Sequence, residues 1–121
     1  MNFKNKVIVI TGASSGIGEA SAIKFAKKNA KIVLVARRKE KLLQLQKKLV
    51  KFTDSTLVCQ CDVSNKTQVK EMTDIVLDTF GRIDVLINNA GFVIYGKVSE
   101  LSIEEIESQM ETNYFGMIYC T

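Results

Sequence analysis

A run of apolar, mostly β-branched residues that ends in a glycine-rich turn constrains the fold of this chain most strongly. The run at residues 6–10 reads KVIVI, and the turn at residues 11–18 reads TGASSGIG. An uninterrupted apolar run of this kind is typical of a strand that is buried on both faces. Residues 17–28 are rich in helix formers, so the sequence predicts a strand, a tight turn and a helix.

The same alternation continues along the chain. Further strands are predicted at residues 30–36, 55–61 and 83–87. Ser64 and Ser102 are predicted to cap the helices that follow them, and Gly81 is predicted to end the third helix. The helical apolar rows are Leu42, Leu45, Leu49 and Phe52, then Val69, Met72, Val76 and Phe80, and finally Ile103, Ile106, Met110, Asn113 and Met117.

Strands that alternate with helices imply right-handed crossovers and a parallel sheet covered by helices on both faces. The chain has no proline and no linker-like segment that would divide it. We therefore predict an α/β fold, a three-layer, doubly wound, Rossmann-like parallel sheet.

Composition excludes several classes of protein. Of the 121 residues, 46% are hydrophobic and 25% are charged, which is too apolar for disorder. No apolar run approaches the roughly 20 residues that span a bilayer, and the N-terminal apolar stretch is too short for a signal peptide, so we expect a cytoplasmic protein. The chain lacks histidine, and Cys59 and Cys61 lie on one face of a strand, so we expect structural thiols and no metal site.

The net charge is +4, and a cluster of basic residues follows the second strand, from Arg37 to Lys51. A nucleic-acid surface is one interpretation of this cluster. The solvated face of an amphipathic helix is the other, and we favour it because no aromatic stacking residues interrupt the charges. We expect neither a nucleic acid nor a membrane as a partner.

The glycine turn has the properties of a phosphate-binding site. Glycines let the backbone turn tightly and let a pyrophosphate approach the amides and the positive end of the helix dipole. The alternative is that the glycines serve only the turn. A Walker A motif is excluded because Glu19-Ala20 follows the last glycine. The predicted contacts in the turn are Gly12, Ser14, Ser15, Gly16, Ile17 and Gly18.

The end of the second strand predicts which dinucleotide binds. An acidic residue about 20 positions past the glycines would bind the ribose hydroxyls of NAD. Here the chain has Ala36-Arg37-Arg38 instead. Guanidinium groups match phosphate oxygens, so Arg37 and Arg38 predict NADP (NADPH) rather than NAD. The alternative is that both arginines only begin the basic helix face.

These motifs together resemble the N-terminal half of the short-chain dehydrogenase/reductase family. The resemblance rests on T-G-x-x-x-G-x-G, an aspartate after the third strand and N-N-A-G at residues 88–91, and it runs from about Val7 to the last residue. It implies a Rossmann-like fold, a nicotinamide cofactor and hydride transfer to or from a small-molecule carbonyl or alcohol. A homo-oligomer is the usual state of such proteins.

The resemblance also implies roles for particular residues. Asp62, with Val63 beside it, resembles the residue that binds the adenine amino group, or both form only a strand-end turn. Asn113 resembles the asparagine whose water belongs to a proton relay, or it is a satisfied helix residue. In the N-N-A-G motif, Asn88 is expected to connect strands, and the cofactor contacts are Asn89, Ala90 and Gly91.

The chain departs from the family in its proton donor, which is a tyrosine followed four residues later by a lysine. Tyr95 is followed at that offset by Ser99 and Tyr114 by Ile118. A tyrosine with a pKa near 10 needs a neighbouring cation to exchange protons near neutrality. We therefore interpret residues 1–121 as a single NADP-binding Rossmann-like domain without the catalytic part. The alternatives are a truncated, non-catalytic nucleotide-binding module and a fragment that does not fold.

Overall fold

Four parallel strands form the sheet in the part of the chain that the structure describes. This structure is a computed structural model, described for residues 2–14, 16–91 and 101–121 without the side chains of Gln109, Glu111 and Phe115. The strands are β1 (Val7–Thr11), β2 (Lys31–Ala36), β3 (Thr56–Gln60) and β4 (Val85–Ile87). The strand order is β3-β2-β1-β4, and all pairs are parallel, as predicted.

Helices follow the strands in the predicted alternation. The helices are α1 (Gly16–Ala26), α2 (Lys39–Leu49), α3 (Lys66–Phe80), α4 (Ile103–Met110) and α5 (Gly116–Cys120), with a π-helical turn (Glu111–Phe115) between the last two. Two helices, α1 and α2, pack on one face of the sheet, while α3 and α5 pack on the other, so the three-layer prediction is confirmed.

Alternate residues of β1 and β2 enter two separate hydrophobic clusters, one on each face of the sheet. This explains why their apolar runs are uninterrupted, since both faces exclude water. The α1–α2 cluster contains Ile8, Ile10, Ile32, Leu34, Ala22, Ala26, Leu42, Leu45 and Leu49. The α3–α5 cluster contains Val7, Val9, Val33, Val35, Cys59, Cys61, Val63, Val69, Met72 and Val76.

The start of α3 differs from the sequence prediction. Asn65, not Ser64, is the N-cap, and its side chain accepts a hydrogen bond from the backbone N–H of Gln68. Ser64 instead donates both its backbone N–H and its hydroxyl to Oδ1 of Asp62. The prediction was wrong because serine and asparagine are almost equally good caps and only their tertiary partners separate them. The predicted end at Gly81 is confirmed by a φ of 75°.

The last predicted helix is divided in the structure. Ser102 caps α4 by accepting the backbone N–H of Glu105, as expected. The π-helical turn then interrupts the regular helix, and it contains Asn113. The apolar side chains of this region are largely exposed. None of the helices among the described residues has the length and apolar character of a membrane span. The exposed apolar residues are Ile103, Met110, Tyr114, Met117 and Ile118.

A carboxylate anchors the edge strand β4 to the start of β1. The backbone N–H of Val7 donates a 2.8 Å hydrogen bond to Oδ2 of Asp84. Nε of Arg82 donates a 2.9 Å bond to Oδ1 of the same carboxylate. The hydrogen bonds from Arg82 and then from Val7 hold the pKa of Asp84 below its ordinary value of 3.8. Folding therefore favours the ionised carboxylate.

This anchor predicts an acid-sensitive contribution to stability. Because the pKa of Asp84 is lowered in the folded state, the ionised carboxylate stabilises the fold fully above pH 3.8. This stability is lost as the pH falls through the lower pKa of the folded state. Urea unfolding measured between neutral pH and the acid range should show a smaller loss of stability in Asp84→Asn than in the unchanged chain. Asp74→Asn, on the surface of α3, serves as the control. If Asp84→Asn and the unchanged chain lost equal stability on acidification, this result would contradict the anchor.

Candidate cofactor-binding site

A cleft of about 600 Å³ opens at the carboxyl ends of the strands. The strand order places β1 between β2 and β4, so the chain leaves β1 at the point where the winding direction reverses. Ligands of open α/β sheets bind in the crevice at this point. The cleft is lined by Gly12, Ser14, Ile17, Val35, Ala36, Arg37, Arg38, Cys61, Asp62, Val63, Asn89, Ala90, Gly91 and Thr112.

Gly12 lies where the turn after β1 touches the segment after β4. Its φ is 65°, and a Cβ atom at this position would lie 2.8 Å from Cα of Ala90 and 2.9 Å from the carbonyl oxygen of Asn89. Both obstacles are backbone atoms, so they could not move aside cheaply. Glycine is therefore required here by conformation and by space.

Thr11 connects the same two segments, and the sequence interpretation assigned it no role. Its side chain is buried, and its hydroxyl donates to the carbonyl of Ile87 at 3.3 Å. The hydroxyl also accepts the backbone N–H groups of Asn89 at 3.0 Å and Ala90 at 3.1 Å. One side chain thus fixes the floor of the cleft. A polar residue at the end of an otherwise apolar buried strand was the signal that could have revealed it.

The glycines that open α1 have different tasks. A Cβ on Gly18 would lie 2.3 Å from the carbonyl oxygen of Gly12 and 2.6 Å from Nδ2 of Asn89, so Gly18 allows close packing of helix and strand. A Cβ on Gly16 would meet nothing within 4 Å, but its φ is 61°. Ile17 leaves 75% of its surface exposed at the cleft, although it is a large apolar residue.

The end of β2 supplies the positive wall of the cleft. Arg37 and Arg38 are exposed and both line it, and the side-chain amide of Gln60 donates a 3.0 Å bond to the carbonyl of Arg37. Arg38 is the N-cap residue of α2 and makes no side-chain capping bond. Ala36 lines the cleft where a carboxylate would bind ribose hydroxyls, so this wall presents positive charge only.

The wall after β3 is held in a fixed orientation by local hydrogen bonds. Gln68 accepts the backbone N–H of Asp62 at 2.8 Å, and Ser64 binds Oδ1 of Asp62 with its hydroxyl at 2.7 Å and its N–H at 3.0 Å. Asp62 is half-buried and lines the cleft beside the buried Val63. An oriented carboxylate next to an apolar side chain suits a planar ring that carries an amino group.

The π-helical turn places Asn113 against the segment after β4. A Cβ on Gly91 would lie 2.9 Å from Oδ1 of Asn113, so the two residues are in contact although 22 positions separate their numbers. Nδ2 of Asn89 donates a 3.1 Å bond to the carbonyl of Gly12. Nδ2 of Asn88 instead reaches Oγ1 of Thr121 at 3.3 Å, so Asn89 and Thr11 make the connection expected of Asn88.

Comparison with known protein families identifies the family of this chain. The chain matches the family described as short chain dehydrogenase over residues 6–121. The chain belongs to the short-chain dehydrogenase family. An oxidoreductase of Staphylococcus aureus strain USA300 is 41% identical over 115 residues, which are 95% of this chain and 49% of that protein. The chain spans about half the length of the curated relatives it matches.

Solved structures of short-chain dehydrogenases share this fold. The L-sorbose reductase of Gluconobacter frateurii, complexed with NADPH and L-sorbose, superposes with a TM-score of 0.93 at 36% identity, over 99% of this chain and 47% of that one. The 3-ketoacyl-(acyl-carrier-protein) reductase of Brucella melitensis, complexed with NADH, gives 0.92 at 32%, over 98% of this chain and 48% of that one. Both neighbours hold a nicotinamide cofactor.

Most of the predicted site residues of this short-chain dehydrogenase chain gather around one cleft. Gly16 and Gly18 shape the turn without lining the cleft. Asn113 contacts Gly91, which does line it, and Ser15 lies outside the described residues. The remaining predicted residues all line it. The sequence interpretation missed Thr11, Val35, Cys61 and Thr112 as parts of the site.

The described residues around the cleft offer no cluster of metal ligands, and the thiol that lines the cleft is protonated near neutrality. Among the described residues, no group of three or more histidine, cysteine, aspartate or glutamate side chains could hold a metal ion. Burial, followed by the nearby Cys120, Asp62, Cys59 and Glu71, raises the pKa of Cys61 to about 12. The thiol is therefore protonated near neutrality and is a poor nucleophile.

The contact between Gly91 and Asn113 yields a coupling prediction. Gly91→Ala should lower the free energy of unfolding by about 1 kcal/mol, because the new methyl group displaces the Asn113 amide. In an Asn113→Ala background the same change should cost almost nothing, since the obstructing atoms are gone. Urea unfolding of the two single variants and the double variant measures this coupling. Equal costs of Gly91→Ala in both backgrounds would contradict the contact.

Proposed function

We propose that this chain is the cofactor-binding part of an NADP-dependent oxidoreductase. The bound cofactor would supply a hydride at its nicotinamide ring or accept one there, and a small-molecule carbonyl or secondary alcohol would be the other reactant. The protein residues would bind and orient the cofactor. Gly12, Ser14 and the start of α1 would contact the pyrophosphate. Asp62 would bind the adenine, and Asn89 and Gly91 would border the nicotinamide ribose.

One observation carries the choice of NADP over NAD: the wall after β2 presents Arg37 and Arg38 and has alanine where a ribose-binding carboxylate would stand. Two guanidinium groups can bind a 2′-phosphate through charge-assisted hydrogen bonds, whereas NAD offers them only hydroxyl groups. The reductase neighbours include one complexed with NADPH and one complexed with NADH, so family membership alone does not decide the preference.

Calorimetric titration of the chain with NADPH and with NADH tests this preference. We expect NADPH to bind at least about tenfold more tightly, which corresponds to roughly one charge-assisted hydrogen bond. The preference should shrink as salt is added, because the guanidinium groups are exposed to solvent. Equal affinities for the two cofactors would refute the NADP assignment, and binding of neither would refute the cofactor site.

A second candidate is a nucleotide-binding module without catalytic activity. It concerns residues 1–121 alone, in which no tyrosine is followed four residues later by a lysine. This candidate predicts that the chain binds NADPH but does not consume it with any carbonyl substrate. Carbonyl-dependent loss of NADPH absorbance, catalysed by the purified chain, would exclude it. We propose that the complete oxidoreductase also needs a general acid outside residues 1–121, and that it acts as a homo-oligomer.

A further inference from the structure

Two of the three cysteines of the chain lie on opposite sides of the contact between α5 and the end of β3. Cys61 is 2% exposed, belongs to the α3–α5 cluster and lines the wall of the cleft. Cys120, at the end of α5, is half-buried and packs against the same cluster. Both are free thiols in the structure.

The packing of α5 places these two cysteines at the same contact. A Cβ on Gly116 would lie 2.6 Å from Cγ2 of Val63, so the backbone of α5 touches Val63 directly. Cys120 follows Gly116 by four residues and therefore lies on the same face of α5. Cys61 precedes Val63 by two residues, and both side chains enter the same cluster.

Electrostatics agree with this placement. After burial itself, Cys120 is the group that most raises the pKa of Cys61, and it acts more strongly than Cys59 on the same strand. Cys59 and Cys61 lie two positions apart along extended chain, a spacing that bridges poorly. Cys120 is thus the better-placed partner for Cys61.

We propose that Cys61 and Cys120 form a dithiol site that a peroxide oxidises to an intramolecular disulfide, tying α5 to the wall of the cofactor cleft. The sulfur of the more exposed Cys120 attacks the peroxide, the O–O bond breaks, and a sulfenic acid and one water form when the oxidant is hydrogen peroxide. The sulfur of Cys61 then displaces the sulfenic oxygen, which leaves as a second water. The two thiol protons end in the two waters.

The pair is expected to stay reduced under ordinary conditions. Burial raises the pKa values of Cys61 and Cys120, so few thiolates are present near neutrality and oxidation is slow. Once formed, the bridge would fix α5, which follows the π-helical turn directly. That turn carries Asn113, which contacts Gly91, so the oxidised form would restrain one wall of the site.

Peptide mapping of the chain after treatment with hydrogen peroxide tests the proposal. The dilute protein is oxidised at mildly alkaline pH, the remaining thiols are alkylated, and the digest is analysed by mass spectrometry with and without a reductant. We expect a reducible peptide pair that joins Cys61 to Cys120, and loss of two of the three free thiols. The matched variant Cys59→Ser should form the same bridge, whereas Cys61→Ser and Cys120→Ser should not.

Several results would overturn the dithiol site. These are a bridge that includes Cys59, a bridge between two chains only, or over-oxidation of Cys120 while Cys61 remains a free thiol. The mapping of the unchanged chain is decisive by itself, so the result does not depend on the folding of the variants. It also requires no cofactor, so it is independent of the NADP assignment.

Discussion

Replacing Gly12 by alanine is expected to destabilise the chain strongly. Among the described glycines with a positive φ, we expect this replacement to have the largest effect. The left-handed φ of 65° costs an alanine about 1–2 kcal/mol. The added methyl group also meets backbone atoms of Ala90 and Asn89 at 2.8–2.9 Å, and such overpacking costs roughly 2 kcal/mol more. We expect a total loss of about 3–4 kcal/mol in the free energy of unfolding, together with loss of cofactor binding.

Two glycines provide matched controls for this change. Gly16 and Gly81 also have positive φ values, 61° and 75°, but a Cβ on either would meet nothing within 4 Å. Gly16→Ala and Gly81→Ala should therefore cost only about 1–2 kcal/mol, the conformational part of the loss. Urea unfolding of the three variants separates the cost of the backbone conformation from the cost of the steric clash. Equal losses at all three positions would show that Gly12 does not touch the segment after β4.

The second large effect is expected from the double variant Arg37→Ala/Arg38→Ala. Two charge-assisted hydrogen bonds at about 1.5 kcal/mol each correspond to an approximately 100-fold loss of NADPH affinity. The affinity for NADH should change by less than about threefold, because it has no 2′-phosphate for the guanidinium groups to bind. Calorimetric titration with both cofactors measures the two affinities.

The control for this variant removes two positive charges away from the cleft. Lys27 and Lys51 both lie over the ring of Phe52, with Nζ 5.3 and 5.7 Å from the ring centre. The variant Lys27→Ala/Lys51→Ala has the same net charge as the arginine variant, so it measures the general electrostatic effect. If both double variants weaken NADPH binding equally, the arginines act through overall charge and not as a phosphate site.

The sequence predicted the order and type of the regular elements because both faces of this sheet are buried. Burial on both faces makes β1 and β2 almost entirely apolar, a pattern that is easy to distinguish from the helical rows. From β1 to α3, most of the observed element ends differ from the predicted ends by one or two residues. Side-chain partners decide where each element stops. Asn65 in place of Ser64 is such a case.

The candidate site was less visible in the sequence than the fold. Glycines and arginines are recognised because their chemistry is unusual at those positions, and they do line or shape one cleft. Thr11 and Thr112 were missed because a threonine has many ordinary uses, and only the tertiary contacts show its task. The proximity of Gly91 and Asn113 also depends on where α4 and the π-helical turn lie, which helical periodicity does not specify.

The π-helical turn determines which side chains of α5 face the sheet. A regular helix advances about 100° per residue, so one residue more or fewer before α5 rotates the whole of α5 by about that angle. Loss of a single residue from Glu111–Phe115 would direct a bulky neighbour of Gly116 against Val63, where no Cβ fits. The length of this short turn is therefore as constrained as the identity of a core residue, and insertions or deletions there should be tolerated much less than substitutions.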